Sequence, residues 1–174
     1  MTKPRGRPYS RSIQAVQRAA TNLHSFVYRV TNGKVGGRLA GGPVLLLTTI
    51  GRKSGKERTV PLLYLPDGEG LVGVGSNGGT ATHPTWWLNL ESNPEAMVEV
   101  GGRKTRVRAE EAGPVEKERL WPKLVKMYGG YEGYQRRTDR EIPVVILRSL
   151  NSQPDVQVLS WRGIPRSATA RNSA

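Results

Sequence analysis

Between residues 43 and 147 the apolar residues fall into six short runs, each closed by a turn signal or followed by a helical segment. The runs are 43–50, 58–65, 71–76, 96–100, 104–109 and 142–147. Each has strand rather than helix length, and the first ends in the β-branched Thr48-Thr49-Ile50. Pro66-Asp67-Gly68 and Gly101-Gly102 are hairpin signals, and Asn77-Gly78-Gly79 breaks the third run. Helical patterns interrupt the series at 85–91, opened by Pro84, and at 116–128, with Leu120, Leu124 and Met127 on one face. Another precedes it over residues 10–30. There Ile13, Val16, Ala20, Leu23, Val27 and Val30 recur at three- and four-residue steps, with Arg11, Arg18 and Arg29 mostly off the stripe. The expected class is α+β and mainly antiparallel: a six-stranded closed barrel with an N-terminal helix and inserted helices, not a doubly wound sheet.

The chain of 174 residues divides into a basic arm with the first helix (1–34), the barrel (35–150) and a polar tail (151–174) whose only large anchor is Trp161. With no cysteine, disulfides, thiolate nucleophiles and iron–sulfur clusters are excluded. His24 and His83 are too few for an ordinary zinc site, so no metal centre is expected. No apolar run reaches the roughly 18 residues of a membrane span, and no secretory signal is visible, so a cytoplasmic location is expected. Of the net charge of +13, residues 1–40 carry a large share, with eight Lys or Arg and no acidic residue. Such an arm is either a solvated tail or an attractor of anionic lipid or nucleic acid. The first helix likewise either packs its stripe on the barrel or lies on a membrane surface.

Three segments can carry chemistry. The turn Gly51 to Arg58, GRKSGKER, gathers Arg52, Lys53, Lys56 and Arg58 around two backbone-freeing glycines, a composition suited to phosphate or carboxylate. It is no phosphate-binding P-loop: the glycine spacing is one short, Glu57 stands where a hydroxyl should hold magnesium, and no helix follows. A bare solvated hairpin tip is the alternative. The second segment, 76–90, joins a strand end at Ser76, a glycine turn and a helix start bearing Trp86 and Trp87. Its amides can meet the carbonyls of a flat polar ring and an indole can cover it, unless both indoles are core. The third places Tyr128, Tyr131 and Tyr134 three apart, which aligns their hydroxyls along a helical turn toward an oxygen-bearing substrate or packs them at a helix end. His83, before Pro84, is read as a cap or an exposed residue.

Taken in order, TTIGRKSGKERTVPLLYL, SNGGTATHPTWWLNLESNPEAMVEVGG and MYGGYEGYQRRTDREIPVVIL resemble the deazaflavin-dependent nitroreductase family of actinobacteria over roughly residues 35–147. The resemblance implies a split β-barrel that binds coenzyme F420, a 5-deazaflavin with an acidic phospholactyl-oligoglutamate tail. It places Arg52, Lys53, Ser54 and Arg58 on the phosphate and tail, and lines the site with Thr59, Val60, Pro61, Leu62 and Leu63. It sets Val74, Gly75, Ser76, Asn77, Thr85, Trp86, Trp87, Leu88 and Asn89 around the ring. The family often has lysine where this chain has Asn77. Tyr128, Tyr131 and Tyr134, with Ser76, are the implied catalytic set on the substrate side. The implied reaction is hydride transfer from the reduced deazaflavin to a quinone, activated alkene or nitroaromatic. The same barrel holding flavin mononucleotide (FMN) is an alternative, as is a cofactor carrier without turnover. A non-catalytic module binding nucleic acid or membrane through residues 1–40 is a further alternative. Nucleic acid is the less expected partner, and a homodimer is compatible with such a barrel.

Overall fold

The computed structural model describes residues 11–150, with side chains from residue 20 onward. The arm 1–9, the side chains of Ile13 and Val16, and the tail with Trp161 lie outside the described residues. The elements are α1 Arg11–Val30, β1 Arg38–Leu39, β2 Gly42–Ile50, β3 Glu57–Asp67 and β4 Gly70–Val74, then a 3-10 turn Asn77–Gly79 and α2 Thr85–Ser92. They continue with β5 Glu95–Val100, β6 Arg103–Glu111, α3 Pro114–Met127, α4 Gly130–Arg136 and β7 Val144–Ser149. The strand order is β1-β2-β3-β4-β7-β6-β5, and a β2–β5 pairing closes six of the strands into an antiparallel barrel. The barrel expected from the six runs is therefore present.

Burial explains which runs are continuously apolar. Leu45 and Leu47 of β2 pack in one core with Val98, Val107, Ala109, Val145 and Leu147, and with Trp86, Trp87 and Leu90 of α2. The alternate residues Val44 and Leu46 lie under Tyr28 of α1, and Val144 and Ile146 of β7 lie with Leu120, Leu124 and Tyr131 of α3 and α4. Strands covered on both faces have no reason to alternate. In β6 one face is wet, so Val107 and Ala109 are buried while Arg106 and Arg108 are exposed.

The structure differs from the sequence reading in five places, the first being that the third strand closes at Val74 and not at Ser76, because Val74 makes the last β4–β7 pair. β1 is a two-residue strand with no run of its own. The last strand starts at Val144 rather than at 142, because the Ile142 N–H bonds to Gln135 Oε1 at 3.0 Å and Pro143 has no N–H. Residues 128–134 are not one helix: α3 ends at Met127 and α4 begins at Gly130. Finally, α1 turns a different face inward. Tyr28 and Ser25 are buried, while Leu23 and Val30 of the expected stripe are 65% and 67% exposed. Tyr28 sets that register: its hydroxyl donates toward Val44 O at 3.1 Å and Glu99 O at 3.3 Å, and accepts the Gly101 N–H at 3.1 Å. No helix among the described residues is long and apolar enough to cross a membrane.

Candidate active site

β3 supplies the frame of the site. Its residues 57–63 pair with β2, but only residues 64–67 pair with β4, where Tyr64 faces Gly73 and Asp67 faces Gly70. The half of β3 that leaves the Arg52–Lys56 turn thus has one edge without a strand partner. Among the described residues no other group hydrogen-bonds to that stretch of backbone. Free N–H and C=O groups in a row are a ready partner for a flat molecule with carbonyls and ring N–H groups at its rim. The gap opens because the chain after β4 swings toward β7. Gly75 gives its N–H to Pro143 O at 2.9 Å, and a Cβ at Gly75 would sit 2.6 Å from the Pro143 ring, so only glycine makes that approach.

The basic turn stands at the start of this edge. Gly51 N–H donates to Lys56 O at 2.8 Å, and the Ser54 hydroxyl lies 3.4 Å from Lys56 N and 3.5 Å from an Arg58 nitrogen. Arg52, Lys53, Lys56 and Arg58 are all exposed, and none forms an ion pair among the described residues. Four unneutralised cations around a closed turn favour an anion. Asn89, only 2% exposed, is committed to holding that turn. Its Oδ1 accepts the Arg52 N–H at 3.1 Å and its Nδ2 donates to Thr49 Oγ1 at 3.0 Å. Both ends of its amide are thus spent on the turn and the strand before it.

The alternation of β3 divides the five residues read as a lining. Val60 and Leu62 pack against the barrel core, whereas Leu63 lies under α1. Thr59 shares a hydroxyl hydrogen bond of 2.8 Å with Thr48, and Pro61, level with Leu46, belongs to the same strand face as Thr59 and Leu63. Trp86 and Trp87 are core residues, their rings 6.4 Å apart and edge to face. What α2 offers the site is its start. Thr85 is exposed, Leu88 is half-buried, and no side chain caps the helix, so its first N–H groups are open.

The segment from Val74 to His83 carries the chain on from β4. Val74 belongs to the core under α3 and α4. The Ser76 side-chain hydroxyl meets no hydrogen-bond partner among the described residues. Asn77 adopts a left-handed φ of 46° and spends its Nδ2 on Thr80 Oγ1 at 2.7 Å and Thr82 O at 3.0 Å. Its amide staples its own loop, a role a lysine would not reproduce. Gly79 combines a φ of 74° with a close approach: a Cβ there would meet Tyr134 O at 2.7 Å. The loop is thereby seated on α4. His83 does not cap α2, whose N-cap is Pro84. It is half-buried with Nδ1 at 3.5 Å from Arg140 Nη1, and burial, aided by Arg140, lowers its pKa from the ordinary 6.5. Arg140 itself, which no sequence pattern singled out, sends three hydrogen bonds to loop carbonyls.

The tyrosines are brought together, though not as an aligned row. Their ring centroids are 5.0 to 6.5 Å apart. The Tyr128 and Tyr134 hydroxyls share a hydrogen bond of 2.8 Å, which raises the Tyr134 pKa, with burial adding to it. Tyr131 is 3% exposed, and burial, with its two tyrosine neighbours, raises its phenol well above the ordinary 10.0. Tyr131 and Tyr134 therefore keep their protons at neutral pH. Arg137 lies over the Tyr134 ring at 5.5 Å.

A cavity of about 570 Å³ lies elsewhere, at the barrel end bounded by Glu69, Gly101, Arg103 and Ser149. Its floor is Leu71, Val98, Val107 and Leu147, and Arg103 is its only cation. It contains none of the turn, loop or tyrosine residues.

Residues 20–149 match the family model described as F420H(2)-dependent quinone reductase. The chain belongs to this family. An F420H2-dependent quinone reductase of Mycobacterium tuberculosis is 40% identical over 129 residues, covering 72% of this chain and 87% of that one. A further relative from the same organism, described as a putative F420H2-dependent quinone reductase, is 42% identical over 106 residues, 61% of this chain and 89% of its own. Among solved structures, an F420H2-dependent reductase (FDR-A) superposes with a TM-score of 0.57 at 39% identity, covering 61% of this chain and 94% of that chain. Another, described as a domain-swapped dimer, gives a TM-score of 0.58 at 33% identity, covering 80% and 100%. As an F420H2-dependent quinone reductase family member, the chain takes coenzyme F420 as its cofactor. The residues fit that group: unpaired cations for an acidic tail, a free strand edge for a ring rim, and protonated phenols beside the loop.

Proposed function

We propose that this chain transfers hydride from F420H2 to a quinone, with the cofactor in the gap between β3 and the 75–83 loop. The observation that carries the reading is the β3 edge left free over residues 57–63, beginning at a turn whose four exposed cations form no ion pair among the described residues. Arg52, Lys53 and Arg58 would hold the phosphate and acidic tail, with Ser54 and Asn89 fixing the turn's shape. The backbone of residues 59–62, the open start of α2 and the Ser76 hydroxyl would hold the deazaflavin. The cofactor supplies a hydride when bound. The chain orients two flat molecules and keeps water from between them. Charge that develops on a quinone oxygen needs a hydrogen-bond donor, and the Tyr128–Tyr134 pair or Ser76 can supply one without any side chain ionising.

A menadione reduction assay driven by F420H2 tests the reading, with FMNH2 as the competing donor. Turnover with F420H2 is expected, and no acceleration by the protein of the direct reaction between FMNH2 and menadione. The relative described as a domain-swapped dimer and the exposed apolar face of α1, Leu23, Phe26 and Val30, support a homodimer contact there. Light scattering of the protein with and without Phe26→Ser separates a dimer from a monomer, and co-sedimentation with anionic vesicles tests a membrane contact.

A further inference from the structure

Two antiparallel strands already paired gain a hydrogen bond for each group they add, so a ladder that stops early must be held open. The β3–β4 ladder stops at Tyr64 and Gly73, although β3 continues for seven more residues toward its start. Beyond that point Arg140 grips the departing chain. Its Nη1 donates to Gly75 O at 3.2 Å, its Nη2 to Ser76 O at 2.6 Å and its Nε to Thr80 O at 2.9 Å. The guanidinium is partly buried and makes no ion pair among the described residues. A partly buried cation spent on the carbonyls of one loop is costly to place, and no ion pair among the described residues offsets that cost. The planar fork of arginine can reach several carbonyls at once, which the point charge of lysine cannot.

We propose that Arg140 is a positioning residue that holds the 75–80 segment away from β3 and so keeps the strand edge open for the cofactor ring. The role rests on the functional reading above. It also fixes where the free Ser76 hydroxyl stands, since the Ser76 carbonyl is the shortest of the three contacts. The Pro143–Gly75 bond and the Gly79–Tyr134 approach hold the same segment at two other points, so the barrel itself does not depend on Arg140.

Wild type, Arg140→Met and Arg140→Lys are compared in amide hydrogen exchange without cofactor, in fluorescence titration with F420, and in steady-state menadione reduction. In Arg140→Met, exchange across residues 75–82 is expected to quicken about tenfold while β2, β5 and β6 keep wild-type protection. F420 affinity is expected to fall about tenfold, with the KM for menadione within about twofold of wild type. Arg140→Lys should recover only part of each loss, and it carries the measurement if the methionine variant does not fold. Unchanged exchange and affinity in the variants, against a wild type that binds F420, would overturn the role of Arg140 alone. A wild type that does not bind F420 would overturn the functional reading and this role with it. A loss confined to the KM for menadione would also overturn it, because it would place Arg140 on the substrate side.

Discussion

The hydroxyls of Tyr128 and Tyr134 meet at 2.8 Å across the break between α3 and α4. One phenol of such a pair is a donor to the other, which leaves the second proton free to face a substrate oxygen. Tyr128→Phe and Tyr134→Phe are each expected to lower menadione turnover about tenfold while leaving F420 affinity within about twofold. Because the two act as a unit, the double variant should lose little more than the worse single one. Steady-state kinetics on the four proteins measures this, and additive losses would show that the hydroxyls work separately.

Asn89→Ala leaves the Thr49 hydroxyl and the Arg52 N–H without their present partner. Both consequences are measurable. Stability to urea should fall by about 1–3 kcal/mol, the cost of stranded polar groups in a buried place. F420 affinity should fall too, because the turn it shapes loses its anchor.

His83 gives the pH dependence. Burial, first, and Arg140, second, hold its pKa below 6.5, while Glu91 and Glu111 oppose them. The unfolded chain therefore takes up this proton at a higher pH than the folded one. The contribution is fully present above 6.5 and is lost as pH falls through the lower folded value. Urea unfolding of wild type and His83→Gln at about pH 5 and about pH 8 should show the variant losing less stability on acidification. Equal losses would remove His83 as the source.

Much of the barrel was legible because turn chemistry and apolar run length are local. The Gly101-Gly102 hairpin falls where its residues place it, and β2 and α2 agree with the reading within one residue. α4 was not legible, since Gly129, Gly130 and Gly133 leave it little intrinsic helicity, and the burial of Tyr131 sustains it. The packed face of α1 was misread for a related reason. Periodicity counts apolar residues, whereas this face is chosen by the hydrogen bonds of one phenol, Tyr28. The cationic turn was visible as composition. The unpaired β3 edge was not, because where a ladder stops depends on Gly75, Pro143 and Arg140 meeting across some sixty residues of sequence.

Tyr28 therefore makes a separate stability test. Tyr28→Phe strands the Gly101 N–H and weakens the link from α1 to β2 and β5, for an expected loss of about 2 kcal/mol in urea unfolding. F420 affinity should be unaffected, as the Tyr28 hydroxyl bonds to Val44, Glu99 and Gly101 and not to the Arg52–Arg58 turn. A loss of affinity equal to the loss of stability would mean that α1 reaches the site.

The proposed function stands on the cations of the Arg52–Arg58 turn binding the acidic tail of F420. Fluorescence titration of F420 into wild type and into Arg52→Ala/Lys53→Ala tests it directly. Wild type should bind, and the double variant should bind at least about tenfold more weakly at low salt, with the difference narrowing as salt rises. Its melting temperature should stay within about 2 °C of wild type, since both side chains are exposed and unpaired. Equal affinity in the two proteins would contradict the account.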